Sequence, residues 1–195
     1  MKVKIVGTNY QYDKMFTERG WELVDSVEEA DLVQFTGGPD VSPDLYGEEN
    51  VRSYTDPVRD MSDLRYFREA LAQKTPMAGI CRGGQFLNVM SGGKMVQDVV
   101  GHANGRLHLA HNFIYDAAFD GEIRVTSTHH QMMIPADHGM VFLTSQIVGD
   151  ADTEAVWYRH TKALCFQPHP EFDEARGKCR DLYFWYLWWC FGFDM

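Results

Sequence analysis

Positive charge is scarce in this sequence. Its 195 residues hold 18 Lys+Arg against 28 Asp+Glu, a formal net charge of −10, whereas proteins that grip nucleic acid carry a basic patch or stripe. A nucleic-acid partner is therefore not expected. Cysteine is scarce too: Cys81, Cys165, Cys179 and Cys190 form no C-x-x-C pair and no short regular spacing. That speaks against a disulfide framework or a zinc ribbon and for a reducing compartment. Long hydrophobic runs are missing. The densest, Leu182–Phe193, is about twelve residues where a spanning helix needs roughly 20. The start, Met-Lys-Val-Lys-Ile-Val-Gly, lacks the apolar core and small-residue cleavage site of a signal peptide. The expectation is a cytoplasmic chain with no membrane association. With 45% hydrophobic and 24% charged residues it has the composition of an ordinary globular protein, and its length suits one domain over residues 1–195.

What is present points to an α/β architecture. Val3–Gly7 and Leu32–Phe35 are short β-rich runs, the second cut off by the turn Thr36-Gly37-Gly38-Pro39. From Met61 to Gln73 apolar residues recur at 61, 64, 67, 70 and 71, the spacing of an amphipathic helix, which Thr75-Pro76 closes. Met77–Ile80 is apolar on both faces, as a central parallel strand covered by helices must be. Phe86–Met90 returns to helix and ends at Gly92-Gly93. Strand and helix alternating in this way imply a mostly parallel sheet. The second half is richer in strands, at Phe113–Tyr115, Ile123–Val125, Val141–Leu143, Ala155–Tyr158 and Ala163–Phe166, and a helix is expected from about Phe172 to Phe191.

The sharpest motif is Gly79-Ile80-Cys81-Arg82-Gly83-Gly84-Gln85, between the buried strand and the next helix. G-x-C-x-G is the cysteine form of the nucleophile elbow. Its glycines are steric: the nucleophile sits in a tight, strained turn, and neighbours without side chains let strand and helix close up. A helix N-terminus and a nearby histidine both favour the thiolate there, and the Arg82 backbone N–H would face a developing oxyanion. A base and its orienter come from Gln167-Pro168-His169-Pro170-Glu171: residues i and i+2 of an extended segment face the same way, and the flanking prolines stiffen it. Cys165, Cys179 and Cys190 read as buried small hydrophobes. No Lys-Ser/Thr follows the glycines, so a phosphate loop is excluded.

In these runs the sequence resembles the class I glutamine amidotransferase-like superfamily, most closely its branch of γ-glutamyl hydrolases acting on γ-glutamyl-γ-aminobutyrate and related conjugates. The stretches that carry the resemblance are Gly37-Gly38-Pro39-Asp40-Val41-Ser42-Pro43-Asp44-Leu45-Tyr46-Gly47-Glu48, Arg59-Asp60, the elbow from Gly79 to Val89, Ser127-Thr128-His129-His130-Gln131 and Gln167–Glu171. The resemblance implies a flavodoxin-like three-layer α/β/α sandwich with the cysteine at the carboxyl end of a central strand. It implies Cys81 as nucleophile, His169 as base and then acid, and Glu171 as orienter. Gly38 and Arg82 would supply the backbone oxyanion donors. Gln85, Thr128, His129 and His130 would hold the α-amino and α-carboxylate groups of a glutamyl substrate. No cofactor is implied.

Three functions share this site: a free-standing hydrolase of γ-glutamyl amides, a glutaminase component passing ammonia to a separate synthetase, and a binding module without turnover. Retention of Cys81, His169 and Glu171 together speaks against the last. His102, His108, His111, His129 and His130 show no H-E-x-x-H spacing and no tidy carboxylate set, so they read as loop histidines near the cleft and no metal is expected. The aromatic tail Leu182–Trp189 is expected to pack in the core. Its bunched Trp185, Trp188 and Trp189 exceed what one helix face buries, which leaves a surface for a homo-oligomer or a synthetase partner.

Overall fold

In a computed structural model the described residues are 1–99, 106–114, 119, 121–145, 152–172 and 177–193. The chain opens with β1 (Lys2–Val6), α1 (Tyr12–Thr17), β2 (Glu22–Leu23) and β3 (Leu32–Phe35). A 3-10 turn at Pro43–Tyr46 leads to α2 (Pro57–Gln73), β4 (Met77–Ile80) and α3 (Arg82–Met90). There follow β5 (Lys94–Val96), β6 (Arg106–Asn112), β7 (Glu122–Ser127), β8 (Met132–Ile134), β9 (Met140–Ser145), β10 (Asp152–Tyr158), β11 (Ala163–Phe166) and α4 (Lys178–Phe191).

One eleven-stranded sheet runs β2-β1-β3-β4-β11-β10-β9-β6-β7, with β5 and β8 branching from β10. From β2 to β11 every pairing is parallel; beyond β11 every pairing is antiparallel. The parallel core is thus the expected α/β arrangement, and the strand-rich second half extends it rather than forming a separate sheet. Strand alternation sorts the core into two layers. Leu32, Ala78, Ile80, Leu164 and Phe166 pack with Met15 and Phe16 of α1 and with Leu182–Leu187 of α4. Val33, Phe35, Met77, Ala163 and Cys165 pack with Phe67 and Ala70 of α2 and with Phe86 and Leu87 of α3. Helices on both faces are why these strands are apolar throughout.

Local chemistry sets the element ends. The Asp56 carboxylate caps α2 by accepting from the N–H groups of Val58 (3.0 Å) and Arg59 (3.2 Å), and Pro57 occupies the first turn. Two expectations shift. The strand placed at Phe113–Tyr115 lies earlier: β6 ends at Asn112, whose side-chain amide donates to the carbonyls of Ile114 (2.8 Å) and Phe119 (3.0 Å) and turns the chain; Tyr115 lies outside the described residues. The last helix starts at Lys178, after Gly177 with φ 99°, not near Phe172. Of the aromatic tail, Leu182–Leu187 are core, whereas Trp188 and Trp189 remain 43% and 38% exposed. Among the described residues no helix is long and apolar enough to cross a membrane.

Candidate active site

The elbow is built as the glycines require. Cys81 has φ 51° and ψ −117°, a strained backbone for a residue with a side chain, and stands at the N-cap of α3 directly after β4. A Cβ on Gly79 would lie 2.2 Å from the Gly83 carbonyl oxygen, and one on Gly83 would lie 2.4 Å from that of Phe35. No side chain fits at either position, so strand and helix meet through bare backbone. The Cys81 N–H donates to the Phe166 carbonyl at 2.8 Å, locking the elbow to the end of β11.

Three residues past β11 the chain delivers His169. Its Nδ1 lies 2.6 Å from Glu171 Oε1, leaving the other ring nitrogen for Cys81. The ring stacks on Phe172 at 4.4 Å, and the His169 N–H donates to Thr126 Oγ1 at 2.7 Å. Arg180 on α4 holds the segment from behind, donating to the carbonyls of Pro170 (2.7 Å) and Glu171 (3.0 Å). Burial alone would lower the His169 pKa, but the charge of Cys81 and hydrogen bonds to Cys81 and Glu171 outweigh it, and the value rises to about 10. His169 therefore keeps its proton through the neutral range. The stabilisation linked to that proton is complete below about pH 6.5 and is lost as pH rises through about 10. Cys81→Ala removes the main upward influence, so the His169 titration followed by NMR should move down; an unchanged midpoint near 10 would mean that the sulfur and the ring do not interact.

The Gly37-Gly38-Pro39 loop forms the facing wall. A Cβ on Gly37 would sit 3.2 Å from His169 Cε1 and 3.9 Å from Cys81 Cβ, so this backbone lies against both groups. The Gly37 N–H donates to the Tyr12 hydroxyl at 3.0 Å. Burial, then the Glu171 charge, hold the Tyr12 pKa well above its usual value, so that hydroxyl stays protonated. The loop carbonyls are gripped by two arginines: Arg59 donates to Thr36 (2.9 Å) and Gly37 (3.2 Å), and Arg82 to Pro39 (3.1 Å). Both guanidiniums converge on acids of α2. Arg59 pairs with Asp63 at 2.9 Å, and Arg82 with Asp60 at 2.5 Å and with Asp63. Burial raises the Asp63 carboxyl despite these partners and lowers the Arg82 guanidinium. Arg59-Asp60 and Arg82 of this network stood out in the sequence, Arg82 for its backbone N–H rather than its side chain; Asp63, four residues after Arg59, and Tyr12 did not.

A cleft of about 200 Å³ opens between Thr8, Tyr10, Tyr12, Gly37–Gly38, His169, Glu171 and Phe172. A larger cavity of about 470 Å³, lined by Pro76, Trp157, Arg159 and Trp189 among others, lies at the opposite end of the strands and holds none of these groups. In open parallel sheets ligands sit at the carboxyl ends, which is where the small cleft lies. Gln85 is buried, and its amide donates to the Gln167 side chain at 3.1 Å. Thr128 is exposed, and His130 lies 3.0 Å from Asp40 Oδ2, joining its segment to the glycine loop. His129 turns inward toward Glu154. His108 lies on β6 rather than in a loop, and His102 falls outside the described residues.

The family described as Peptidase C26 matches residues 17–171. The chain belongs to that family, and is class I glutamine amidotransferase-like. A glutamine amidotransferase-like protein of Lactococcus lactis subsp. lactis, YvdE, is 34% identical over 157 residues, covering 72% of this chain and 66% of that protein. The carbamoyl phosphate synthase small chain of Helicobacter pylori is 26% identical over 117 residues, 60% of this chain and 30% of that one. The crystal structure of a glutamine amidotransferase from Thermotoga maritima superposes with a TM-score of 0.70 over 100% of this chain and 86% of that chain, at 18% identity, which establishes the shared fold. The matched stretch spans less than two thirds of the relatives' own length.

The four cysteines are free and differ sharply in setting. Burial pushes the Cys165 and Cys190 thiols well up and Cys179 to about 12. Iodoacetamide near pH 6, followed by peptide mapping, should therefore label Cys81 first in the folded protein. Earlier labelling of any other cysteine would contradict this ordering.

Proposed function

We propose that this chain hydrolyses γ-glutamyl amide bonds through a thioester on Cys81. The observation that carries the reading is His169, held by Glu171 on one nitrogen and set beside Cys81 with the other. The Cys81 sulfur, paired as thiolate with the protonated His169 ring, attacks the γ-carbonyl carbon. The carbonyl π pair moves onto oxygen, where the backbone N–H groups of Gly38 and Arg82 receive it. Collapse of this intermediate breaks the C–N bond, and His169 gives its proton to the departing amine. Water, deprotonated by His169, then attacks the thioester, and free glutamate leaves with the Cys81 sulfur again paired with the protonated ring. Gln85, Thr128 and His130 are the proposed glutamyl contacts, whereas His129, expected beside them, turns inward to Glu154. The protein is proposed to act as one catalytic domain in the cytoplasm, without a cofactor for this step.

The second reading is a glutaminase component that hands ammonia to a synthetase. Similarity to a carbamoyl phosphate synthase small chain and the exposed pair Trp188 and Trp189 favour it. The purified chain, offered glutamine and a panel of γ-glutamyl amines, distinguishes the two. Release of glutamate and amine from the γ-glutamyl amines supports the hydrolase. Slow release from glutamine alone supports the component. With hydroxylamine present, the thioester should be trapped as γ-glutamyl hydroxamate; no product from any substrate, with a folded protein, overturns both.

A further inference from the structure

Behind the catalytic histidine lies a second polar cluster, made by three elements that are distant in sequence. His108 comes from β6, His129 from the segment joining β7 and β8, and Glu154 from β10. The pattern of β6 is inverted at this point: Leu107 and Leu109 are 46% and 45% exposed, while the His108 side chain between them turns inward. A strand that turns two leucines to solvent and a histidine to the interior has been shaped by something other than core packing.

Glu154 is fully buried, and Ser145 Oγ donates to its Oε1 at 2.6 Å. His108 Nε2 is 3.0 Å and His129 Nε2 3.9 Å from that same oxygen. The other carboxylate oxygen, Oε2, is buried and accepts no hydrogen bond among the described residues. The His129 tautomer is set from outside the cluster: Nδ1 lies 2.8 Å from the Gln131 carbonyl, which can only accept, so the proton sits on Nδ1. In the neutral ring Nε2 then presents its lone pair to the carboxylate. His108 Nε2, at hydrogen-bond distance, and His129 Nε2 thus converge on a buried carboxylate that keeps one oxygen without a donor among the described residues, a donor set that a cation can also bridge. A carbonyl fixing the far nitrogen of a histidine is also what metal-bound histidines commonly have.

We propose that His108, His129 and Glu154 form a divalent transition-metal site of the zinc class. One candidate donor atom from each residue lies within 4.8 Å of the others. Donors bound tetrahedrally at roughly 2.0–2.1 Å from zinc stand about 3.3 Å apart, and the two separations to Glu154 Oε1 bracket that value. Two imidazoles and one carboxylate suit zinc or cobalt; magnesium and calcium favour all-oxygen sets. The ion would clip β6, β10 and the 128–131 segment together. Catalytic geometry rests on this frame: the Gln167 N–H donates to the Glu154 carbonyl at 2.7 Å, and Thr126 on β7 holds the His169 N–H. The site is structural and separate from the sulfur chemistry, so its test does not depend on the proposed hydrolysis.

The test uses the full chain, stripped of metal by a chelator and titrated with Co(II) alone and then Zn(II). About one Co(II) per chain should bind with the visible absorption of a four-coordinate N/O site, bleach on adding Zn(II), and raise the unfolding temperature. His108→Gln and Glu154→Gln should each abolish the absorption, whereas Cys81→Ala and the exposed His111→Gln should keep it. If the buried variants do not fold, X-ray absorption at the zinc edge of the unmutated protein decides, with nitrogen and oxygen scatterers including two imidazoles expected. No uptake, sulfur ligation, or binding that survives both His108→Gln and Glu154→Gln in folded protein overturns the site and leaves the cluster as an internal ion pair.

Discussion

Cys81→Ala should lower γ-glutamyl hydrolysis by roughly 10⁴–10⁶-fold, since members of a catalytic triad act as a unit and the covalent step is lost with the sulfur. Stability should change little, because the side chain is only half-buried at the cleft. A sharper expectation comes from the backbone. At φ 51° and ψ −117° residue 81 is in a conformation costing on the order of 1–3 kcal/mol for a residue with a Cβ. Cys81→Gly should therefore be as inactive as Cys81→Ala but more stable, by about 1 kcal/mol in urea unfolding. Glu171→Gln should lower activity less than His169→Ala, since the carboxylate orients the ring that moves the proton. Activity above about one per cent in Cys81→Ala would refute covalent catalysis at this residue.

The second large effect is structural. Asp63 is completely buried and shared by Arg59 and Arg82, of which Arg82 is itself 1% exposed. Removing one partner of a buried ion network strands the others, so Asp63→Ala should cost about 3–5 kcal/mol, or roughly 6–20 °C in unfolding temperature for a protein of this size. Arg52→Ala is the control: its ion pair with Asp98 is solvent-exposed and worth about 0–1 kcal/mol. The two arginines also clamp the carbonyls of Thr36, Gly37 and Pro39, so the surviving folded fraction of Asp63→Ala should show reduced kcat/KM. Equal losses from Asp63→Ala and Arg52→Ala would mean that the network contributes nothing beyond a surface pair.

Legibility in the sequence followed the range of the interaction that fixes each element. Met77–Ile80 was readable because both of its faces meet helices, and the elbow because its glycines fall in one short motif, although the backbone that crowds Gly83 is that of Phe35. β6 was missed because its inward positions include His108 and its outward ones Leu107 and Leu109, the reverse of the usual alternation. α1 was missed because it is six residues long and begins after Gln11, whose side chain makes no cap. At the site, Cys81, His169 and Glu171 lie in short motifs. Glu154 and Tyr12 take their importance from partners tens of residues away, and Asp63, although an i+4 neighbour of Arg59, becomes central only through Arg82 of the next helix.

The pairing of β4 with β11 also times the birth of the site. Ile80 stands opposite Phe166, and that register alone brings Cys81 beside the segment bearing His169. Contacts so far apart in the chain form slowly, because a long loop must close before any pairing compensates for it. A nascent chain stopped before residue 169 would possess the elbow and its glycines and still lack any base. Recovery of activity during refolding should consequently trail recovery of helix signal, making catalysis a late reporter that the parallel core has closed in register.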